Sequence, residues 1–269
     1  MPRLEPVSTI HHASRRWRRP SGYSFAAADI LAPLVLQEMP KAVMSLPITL
    51  IRTGGDEVPA YRPAALLGLT PGRNLLLGPA GRWLGDYIPA AYRSYPFALA
   101  TDANGQRLLC VDADSGLLSD QQEDEHFFTA EGKPSPVTEE ILAFLTQLDA
   151  SQAATVRACA MLAQHQLIQP WPLQVRTESG QQPITGAHRI DEPALSRLSA
   201  EALKELQTCG ALMLAHCQLL SMQHLGRLGQ LAQAHARADT RHVTPDLGLR
   251  ADEDTLRFDF STLGAPPTA

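Results

Sequence analysis

The chain has 269 residues, of which 44% are hydrophobic, and a formal net charge of −5. This length supports one large core or two smaller ones, and the mild acidity argues against a general nucleic-acid binder, which needs a clustered basic face. No apolar run reaches the roughly eighteen residues that span a bilayer, and no apolar signal region follows the N-terminus, so we expect a cytoplasmic protein without a transmembrane segment.

The N-terminal residues 1–22 are rich in Pro, Ser, His and Arg and show no sustained period, which predicts an irregular leader. Its clustered basic residues, which we interpret as a disordered arm, are Arg15, Arg16, Arg18 and Arg19. In residues 25–44 apolar side chains recur at helical spacing, although Pro33 and Pro40 must mark starts or kinks. We therefore predict one helix in this segment, interrupted at a proline.

Residues 61–97, around which we expect the fold to be organised, are short apolar runs cut by glycine and proline. A first strand is predicted at 48–51, and these breaks predict meander strands near 61–69 and 73–77. Pro89 suits the first turn of a short helix, and Pro96 ends that helix before the next strand.

A hairpin is predicted to follow, with strands 97–101 and 107–112, because Asn104-Gly105 supplies the positive-φ positions of a tight turn. After residue 132 the pattern becomes helical, with one long helix or two in residues 139–167. A further hairpin, 173–176 with 184–190, precedes a helix start at Asp191.

The last predicted elements are two helices, at 194–207 and 210–236, and one docked edge strand in which Leu256, Phe258 and Phe260 alternate. The expected fold class is α+β, an antiparallel β-meander in the N-terminal half covered by C-terminal helices. We expect one domain over residues 23–238 and a loosely held tail over 239–269.

Several long motifs occur in one order along the chain. They are YSFAAADILAPLVLQEMPKAVMSLPITLI, YRPAALLGL, PGRNLLL, GRWLGDYIPAAYRSYPF, LLCVDADSGLLS, PWPLQV, GAHRIDEPALSRLSAEALKEL and CGALMLAHCQLLSMQHLGRL. Over about residues 17–231 this order resembles the SapC family of bacterial proteins. The resemblance implies an accessory role in surface or envelope systems, since such genes accompany TonB-dependent receptor, tryptophan-halogenase-like and cupin-like genes. It carries over no catalytic residues.

The densest group of aromatic and charged residues could line a pocket for a planar, acidic or sugar-like ligand. The candidate ligand-binding residues are Arg73, Arg82, Trp83, Asp86, Tyr87 and Arg93, with Tyr92 and Tyr95 nearby. In the alternative interpretation Trp83 and Tyr95 fill the core of the meander while the arginines brace loops.

Metal sites have weaker support in the sequence. Asp112, Asp114 and Glu123 resemble a calcium loop, but Gly116 stands one residue early, so we favour solvated acids at a strand end. His216 and His224 lie eight residues apart, about 80° apart around a helix, and a third ligand such as His188 or His165 could come only from the fold. We expect no metal and no cofactor.

The four cysteines, Cys110, Cys159, Cys209 and Cys217, lie in apolar segments without CxxC spacing, which predicts buried free thiols. Buried thiols are poor nucleophiles, and the sequence contains no G-x-S-x-G elbow, so it does not indicate nucleophilic catalysis.

Two functional classes remain. The first is a non-catalytic accessory or binding protein that meets a protein partner or a small ligand, because the last predicted helix carries more apolar residues than one narrow stripe would bury. Those residues are Leu212, Met213, Leu219, Leu220, Met222, Leu225 and Leu228. The second is an enzyme acting on a peptide, amino-acid-derived or glycan substrate near Arg82, Trp83 and Asp86, with Asp86 or His188 as acid or base. Its test is whether Asp86, His188 and Arg82 share one pocket.

Overall fold

The computed structural model describes residues 3–54, 60–177 and 180–242. Its strands, in chain order, are β1 (Leu4–Pro6), β2 (Arg16–Trp17), β3 (Leu31–Pro33), β4 (Ile48–Thr53), β5 (Ala60–Leu66), β6 (Phe97–Thr101), β7 (Arg107–Asp112), β8 (Leu118–Ser119), β9 (Glu125–His126), β10 (Ile168–Pro170), β11 (Leu173–Thr177), β12 (Gly180–Ile184) and β13 (Ala187–Ile190). Its helices are α1 (Thr9–His12), α2 (Met39–Ala42), α3 (Ala90–Arg93), α4 (Pro136–Gln164), α5 (Glu192–Ser196), α6 (Ala200–Thr208), α7 (Ala211–Ser221) and α8 (Leu225–His242). The predicted α+β class is confirmed.

The central sheet has the antiparallel strand order β10-β13-β4-β5-β3. The β4–β5 hairpin lies where it was predicted, but its outer neighbour β13 comes from the C-terminal half of the chain. Residues 73–77, predicted as a strand, contain a turn and an isolated β-bridge from Leu77 to Trp83 instead. The N–H of Leu75 donates to the carbonyl of Leu67. The central sheet is therefore built from both halves of the sequence rather than from a local meander.

The helix predicted over residues 25–44 is wrong. The segment holds two 3₁₀ turns, the edge strand β3 and only the single helical turn of α2. Pro33 lies opposite Ala64 at the open edge of the sheet, where a residue without an N–H is tolerated, and Pro40 occupies the first turn of α2. The two prolines therefore prevent a continuous helix here, although the apolar residues have helical spacing.

The N-terminal segment is more regular than the predicted leader. Strand β1 pairs with β7, and β2 pairs with both β8 and β9, so that Trp17 is only 3% exposed. The basic cluster faces the acidic run of the same chain, where Arg16 donates to the carbonyls of Gln122 and Asp124. These arginines belong to a folded surface and not to a disordered arm.

Helix α4 is one continuous helix rather than two. It begins after Ser135, whose side chain caps the N–H of Thr138, and Pro136 occupies its first turn. Its N-terminal part packs on a small core around Trp17 and Phe127, and its C-terminal part packs on the main core beside the central sheet. One helix thus connects two cores.

The C-terminal region follows its prediction in part. Asp191 caps α5 as expected, with its carboxylate accepting from the N–H of Ala194. Strand β11 pairs with β12, whereas residues 187–190, predicted in the same hairpin, join the central sheet as β13. The predicted edge strand around Phe258 lies outside the described residues. None of the helices in the described ranges is long and apolar enough to cross a membrane.

Candidate functional site: an aromatic cavity beside Arg93

A buried carboxylate positions the segment that leads into α3. Glu38 is 5% exposed and accepts hydrogen bonds from the N–H of Ala90 at 2.6 Å, the hydroxyl of Tyr87 at 2.8 Å and the N–H of Val35 at 3.1 Å. A carboxylate with several donors can be buried without an ion pair, since each donor offsets part of its desolvation. Glu38 therefore fixes Tyr87 and the start of α3 relative to the turn before α2.

An aromatic cluster connects this segment to residues 25–29. The rings of Phe25 and Tyr95 stack with centroids 3.9 Å apart, and Phe25 meets Tyr92 edge to face at 5.7 Å. The Tyr92 hydroxyl donates to the Asp29 carboxylate at 2.8 Å. Burial, and then this hydrogen bond, raises the pKa of Tyr92 above its usual range, so the phenol stays a neutral donor.

Trp83 completes the packing of this cluster. Its ring lies 5.9 Å from both Tyr23 and Tyr92, and its indole N–H donates to the carbonyl of Tyr87 at 2.9 Å. Gly85 leaves room for the indole, because a Cβ there would stand 2.8 Å from its nitrogen. Gly81 has φ of 72° and no space for a Cβ beside Ser24, so glycine is required at this turn as well.

Arg93, at the end of α3, is the cation of the site. Its guanidinium carbon lies 5.1 Å from the centroid of the Phe144 ring and 5.7 Å from that of Tyr87. Burial, and then hydrogen bonding to Glu38, raises the pKa of Tyr87, which keeps its hydroxyl protonated. Two flat rings therefore restrain an exposed arginine by cation–π contact, and one guanidinium nitrogen donates to the Tyr87 hydroxyl at 3.4 Å. The guanidinium has five N–H donors, so others remain for a ligand.

These groups surround a cavity of about 350 Å³ between α3, α4 and the N-terminal segment. Its lining residues are Trp17, Arg19, Pro20, Tyr23, Tyr92, Arg93, Ser94, Tyr95, Phe97, Val137, Glu140, Ile141 and Phe144. The volume falls within the range of small-molecule sites, about 300–1,000 Å³. Aromatic walls with Arg19 and Arg93 at exposed positions suit a flat ligand that carries a negative group.

The six predicted ligand residues separate into two sets. Arg93 lines this cavity, and Tyr87 and Trp83 support it from behind. The other three lie elsewhere: Arg73 contacts His235 on α8 at 3.2 Å, Asp86 pairs with Arg227 at 3.5 Å, and Arg82 is exposed to solvent. The predicted set therefore does not converge on one cavity, and only Arg93 of its charged residues lines this one.

The enzyme hypothesis depended on Asp86, His188 and Arg82 sharing a pocket. Four cavities in the described part of the chain have none of these residues in their lining. His188 lies on β13, where its ring meets Tyr61 and contacts the carbonyl of Gly186 at 3.1 Å. The proposed acid, base and cation therefore do not meet in any of these four cavities.

The histidines considered as metal ligands are engaged separately. His224 contacts the carbonyl of Val43 at 2.8 Å, His165 contacts the Glu205 carboxylate at 3.3 Å, and His216 is exposed on α7. Within the described residues no three potential ligands gather into a metal-binding group. In the calcium-like loop, Asp112 accepts from the N–H groups of Arg3 and Asp114, so its carboxylate organises a turn.

The four cysteines are free, as predicted, although Cys209 is only partly buried. Burial raises the pKa of Cys159 to about 12, which leaves no thiolate near neutral pH. Burial also raises the pKa of Cys110 and Cys217.

Several residues of the site gave no usable signal in the sequence. Glu38 lay in a segment predicted as helix, where a glutamate ordinarily faces solvent. Arg19 and Trp17 lay in the predicted leader, and Phe144 is one apolar residue among many on a long helix. The proximity of Phe144 to Arg93 arises only when α4 packs against α3, a contact that no local pattern encodes.

Fold and site together define an α+β protein with an aromatic, arginine-lined cavity. The SapC family model matches residues 7–228, and the chain belongs to the SapC family. No curated protein and no solved structure matches the chain.

Proposed function

We propose that this protein is a non-catalytic binding protein that takes up a planar, carboxylate-bearing small molecule in the cavity beside Arg93. The observation that carries the proposal is the position of Arg93, an exposed cation held between the rings of Tyr87 and Phe144 at a cavity lined by aromatic side chains. Such an arginine can stack against or hydrogen-bond a flat anion without moving. The accessory role in an envelope system that the family resemblance implies would then depend on a bound ligand.

A protein partner on the C-terminal helices has less support than expected. Leu228 is 1% exposed, and Leu212, Leu219 and Leu225 pack against the cores, so the cores cover most of the apolar residues that had suggested a partner. The exposed members of that set include Met213 and Leu220. Two apolar side chains at the surface are ordinary for a folded protein.

The enzyme alternative proposed Asp86, His188 and Arg82 as its acid, base and cation, and the four cavities of the described residues contain none of the three in their lining. Cavity groups that could transfer a proton at neutral pH are also few, because burial keeps Tyr92 protonated and Tyr95 likewise has a raised pKa. A binding role needs none of these groups to titrate.

The test is calorimetric titration of the full-length protein with benzoate and indole-3-acetate, using benzyl alcohol as the neutral comparison. We expect saturable binding of a carboxylate and at least a tenfold loss of affinity in Arg93→Met, since a hydrogen bond to a charged group contributes about 1.5–3 kcal/mol. Arg82→Met is the matched control, because Arg82 is an exposed arginine of the same segment outside the cavity. Equal affinities of the two variants, or no saturable binding to the wild type, would overturn the proposal.

A second measurement requires no choice of probe. The wild-type protein is purified under native conditions, and its mass is measured by mass spectrometry before and after denaturation. Any co-purified small molecule is identified by its own mass. We expect a species with an aromatic ring and an acid group that is absent from Arg93→Met and present in Arg82→Met.

A further inference from the structure

The aromatic cavity beside Arg93 also contains a carboxylate. Helix α4 lines this cavity with Val137, Glu140, Ile141 and Phe144. Side chains three, four and seven positions apart lie on one face of a helix, so Glu140 shares a face with the Phe144 ring that contacts Arg93. Glu140 is exposed, and among the described lining residues it is the one acidic group. The cavity therefore offers a negative charge that a simple aromatic acid does not use.

Arg93 and Glu140 each lack an ion-pair partner. In the part of the chain that the structure describes, neither side chain belongs to a salt bridge, although both line one cavity. Arg19, the other cation of the lining, pairs instead with Glu125 at 3.7 Å. Arg93 contacts two rings and the protonated Tyr87 hydroxyl, and none of these groups carries an opposite charge. A ligand with one charge of each sign would meet two charges that the protein leaves uncompensated.

The two charged side chains are both neighbours of the Phe144 ring. The guanidinium carbon of Arg93 lies 5.1 Å from the centroid of that ring. Phe144 follows Glu140 by four residues, a spacing at which the Cβ atoms of a helix are about 5–6 Å apart. Arg93 and Glu140 are therefore close enough for one small molecule to contact both, although they form no direct pair.

We propose that the ligand of this cavity is an aromatic α-amino acid, with its carboxylate at Arg93, its ammonium group at Glu140 and its ring against the aromatic walls. This inference rests on the proposed function and names the class of ligand. An α-amino acid carries both charges at neutral pH on a single carbon. Charge-assisted hydrogen bonds of about 2.7–2.9 Å on either side of that carbon can connect two protein groups that do not meet directly. A simple aromatic acid would satisfy Arg93 but would be repelled by Glu140.

The experiment compares four ligands on the full-length wild-type protein by calorimetric titration at pH 7. L-Phenylalanine has both charges and the ring, 3-phenylpropanoate lacks the ammonium group, 2-phenylethylamine lacks the carboxylate, and L-leucine lacks the ring. We expect L-phenylalanine to bind about tenfold more tightly than each of the other three, because each loses one of the three interactions. Equal affinity for L-phenylalanine and 3-phenylpropanoate would refute the role of Glu140, and equal affinity for L-leucine would refute the aromatic class.

A single substitution should change the affinities of two ligands in opposite directions. Glu140→Gln removes the partner of the ammonium group, so L-phenylalanine should bind about fivefold more weakly. The same substitution removes the repulsion of an anion, so 3-phenylpropanoate should bind more tightly. Glu139→Gln is the matched control, because Glu139 is exposed, adjacent on α4 and outside the lining of the cavity, and it should change neither affinity. Both variants are checked for a wild-type melting curve. Equal weakening of both ligands by Glu140→Gln would mean that Glu140 shapes the cavity without contacting the ammonium group, which would overturn the proposal.

Failure of this inference is distinguishable from failure of the proposed function. If 3-phenylpropanoate binds and loses its affinity in Arg93→Met, but L-phenylalanine binds no more tightly, the cavity takes simple aromatic acids and the amino-acid class is refuted. If neither ligand depends on Arg93, the proposed function and this inference are both refuted.

Discussion

At the scale of single residues, Trp83 is expected to stabilise the fold, because it is packed beside Gly85. Its ring packs against Tyr23 and Tyr92, and its indole nitrogen is satisfied by the Tyr87 carbonyl. We expect Trp83→Ala to lower the free energy of unfolding by about 3 kcal/mol, measured by urea denaturation, because the substitution leaves a large void. Trp83→Phe keeps most of the ring and should cost about 1 kcal/mol for the lost hydrogen bond. A cost below about 1 kcal/mol for the alanine variant, with ligand binding abolished, would make Trp83 a recognition residue instead.

His12 gives the fold a dependence on pH. It is 1% exposed, its ring meets Phe127 at 4.9 Å, and burial holds its pKa below the ordinary value of 6.5 although Glu5 opposes this. Near pH 6.5 the imidazole of His12 becomes protonated in the unfolded chain but stays neutral in the folded chain. The free energy of unfolding therefore falls as the pH drops below that value. We expect His12→Gln to have a flatter stability profile than wild type between pH 7 and 5.

The control for this prediction is His11→Gln, because His11 is exposed and adjacent. Thermal melts at a series of pH values measure both variants. If His11→Gln flattens the profile as much as His12→Gln does, the dependence arises outside the buried ring.

At the scale of elements, α7 completes the hydrogen bonding of the central sheet. Gln218 is fully buried, its amide oxygen accepts from the N–H of Ile190 at 2.9 Å, and its amide nitrogen donates to the carbonyl of Ile48 at 3.1 Å. Ser221 adds a bond from the N–H of Ile48 at 2.9 Å. One helix thus joins β4 and β13 through their backbones at the end of the pair.

We expect Gln218→Ala to lower the free energy of unfolding by about 2–4 kcal/mol, because it leaves two buried backbone groups without their side-chain partner. Gln230→Ala, an exposed glutamine of α8, is the matched control and should change stability by less than about 0.5 kcal/mol. Chemical denaturation measures both. Similar midpoints for the two variants would show that water replaces the amide.

The elements that sequence reasoning found are those whose signals are local. The 97–101 and 107–112 hairpin, the cap at Asp191 and the single turn after Pro89 follow from residues within a few positions of one another. The segment at 25–44 was mistaken because helical spacing of apolar residues also arises when a chain crosses a core in short irregular pieces. The pairing of β13 with β4 could not be predicted, since it joins residues far apart in sequence by a register that only packing selects.

The candidate site was predictable to the same extent. Arg93 and Tyr87 were identified because aromatic and charged residues are dense in their segment. Arg73 and Asp86 were included for the same reason, but both contact α8 instead. Arg73 contacts His235, and Asp86 pairs with Arg227. Composition locates a region, and only tertiary packing determines which charges share a cavity.

At the scale of the whole molecule, we predict that the chain unfolds as one unit. The main core contains residues from Ala26 to Cys217, and β4 needs β13 as its neighbour, so neither half can bury its apolar surface alone. Separate fragments 1–131 and 132–269 should each lack a cooperative thermal transition by calorimetry, while the intact chain shows one. Two fragments that each melt cooperatively would contradict this and indicate separable domains.

The insertion of β13 between β10 and β4 also has a consequence for the order in which the protein is made. Once the β4–β5 hairpin has left the ribosome, synthesis of the residues from Leu67 to Ile190 takes on the order of ten seconds at about 5–20 residues per second. For that interval β4 exposes an unpaired edge, to which a neighbouring nascent chain on the same polysome can add. The yield of soluble protein should therefore depend on translation speed and on chaperones that cover the edge, even where the finished molecule is stable.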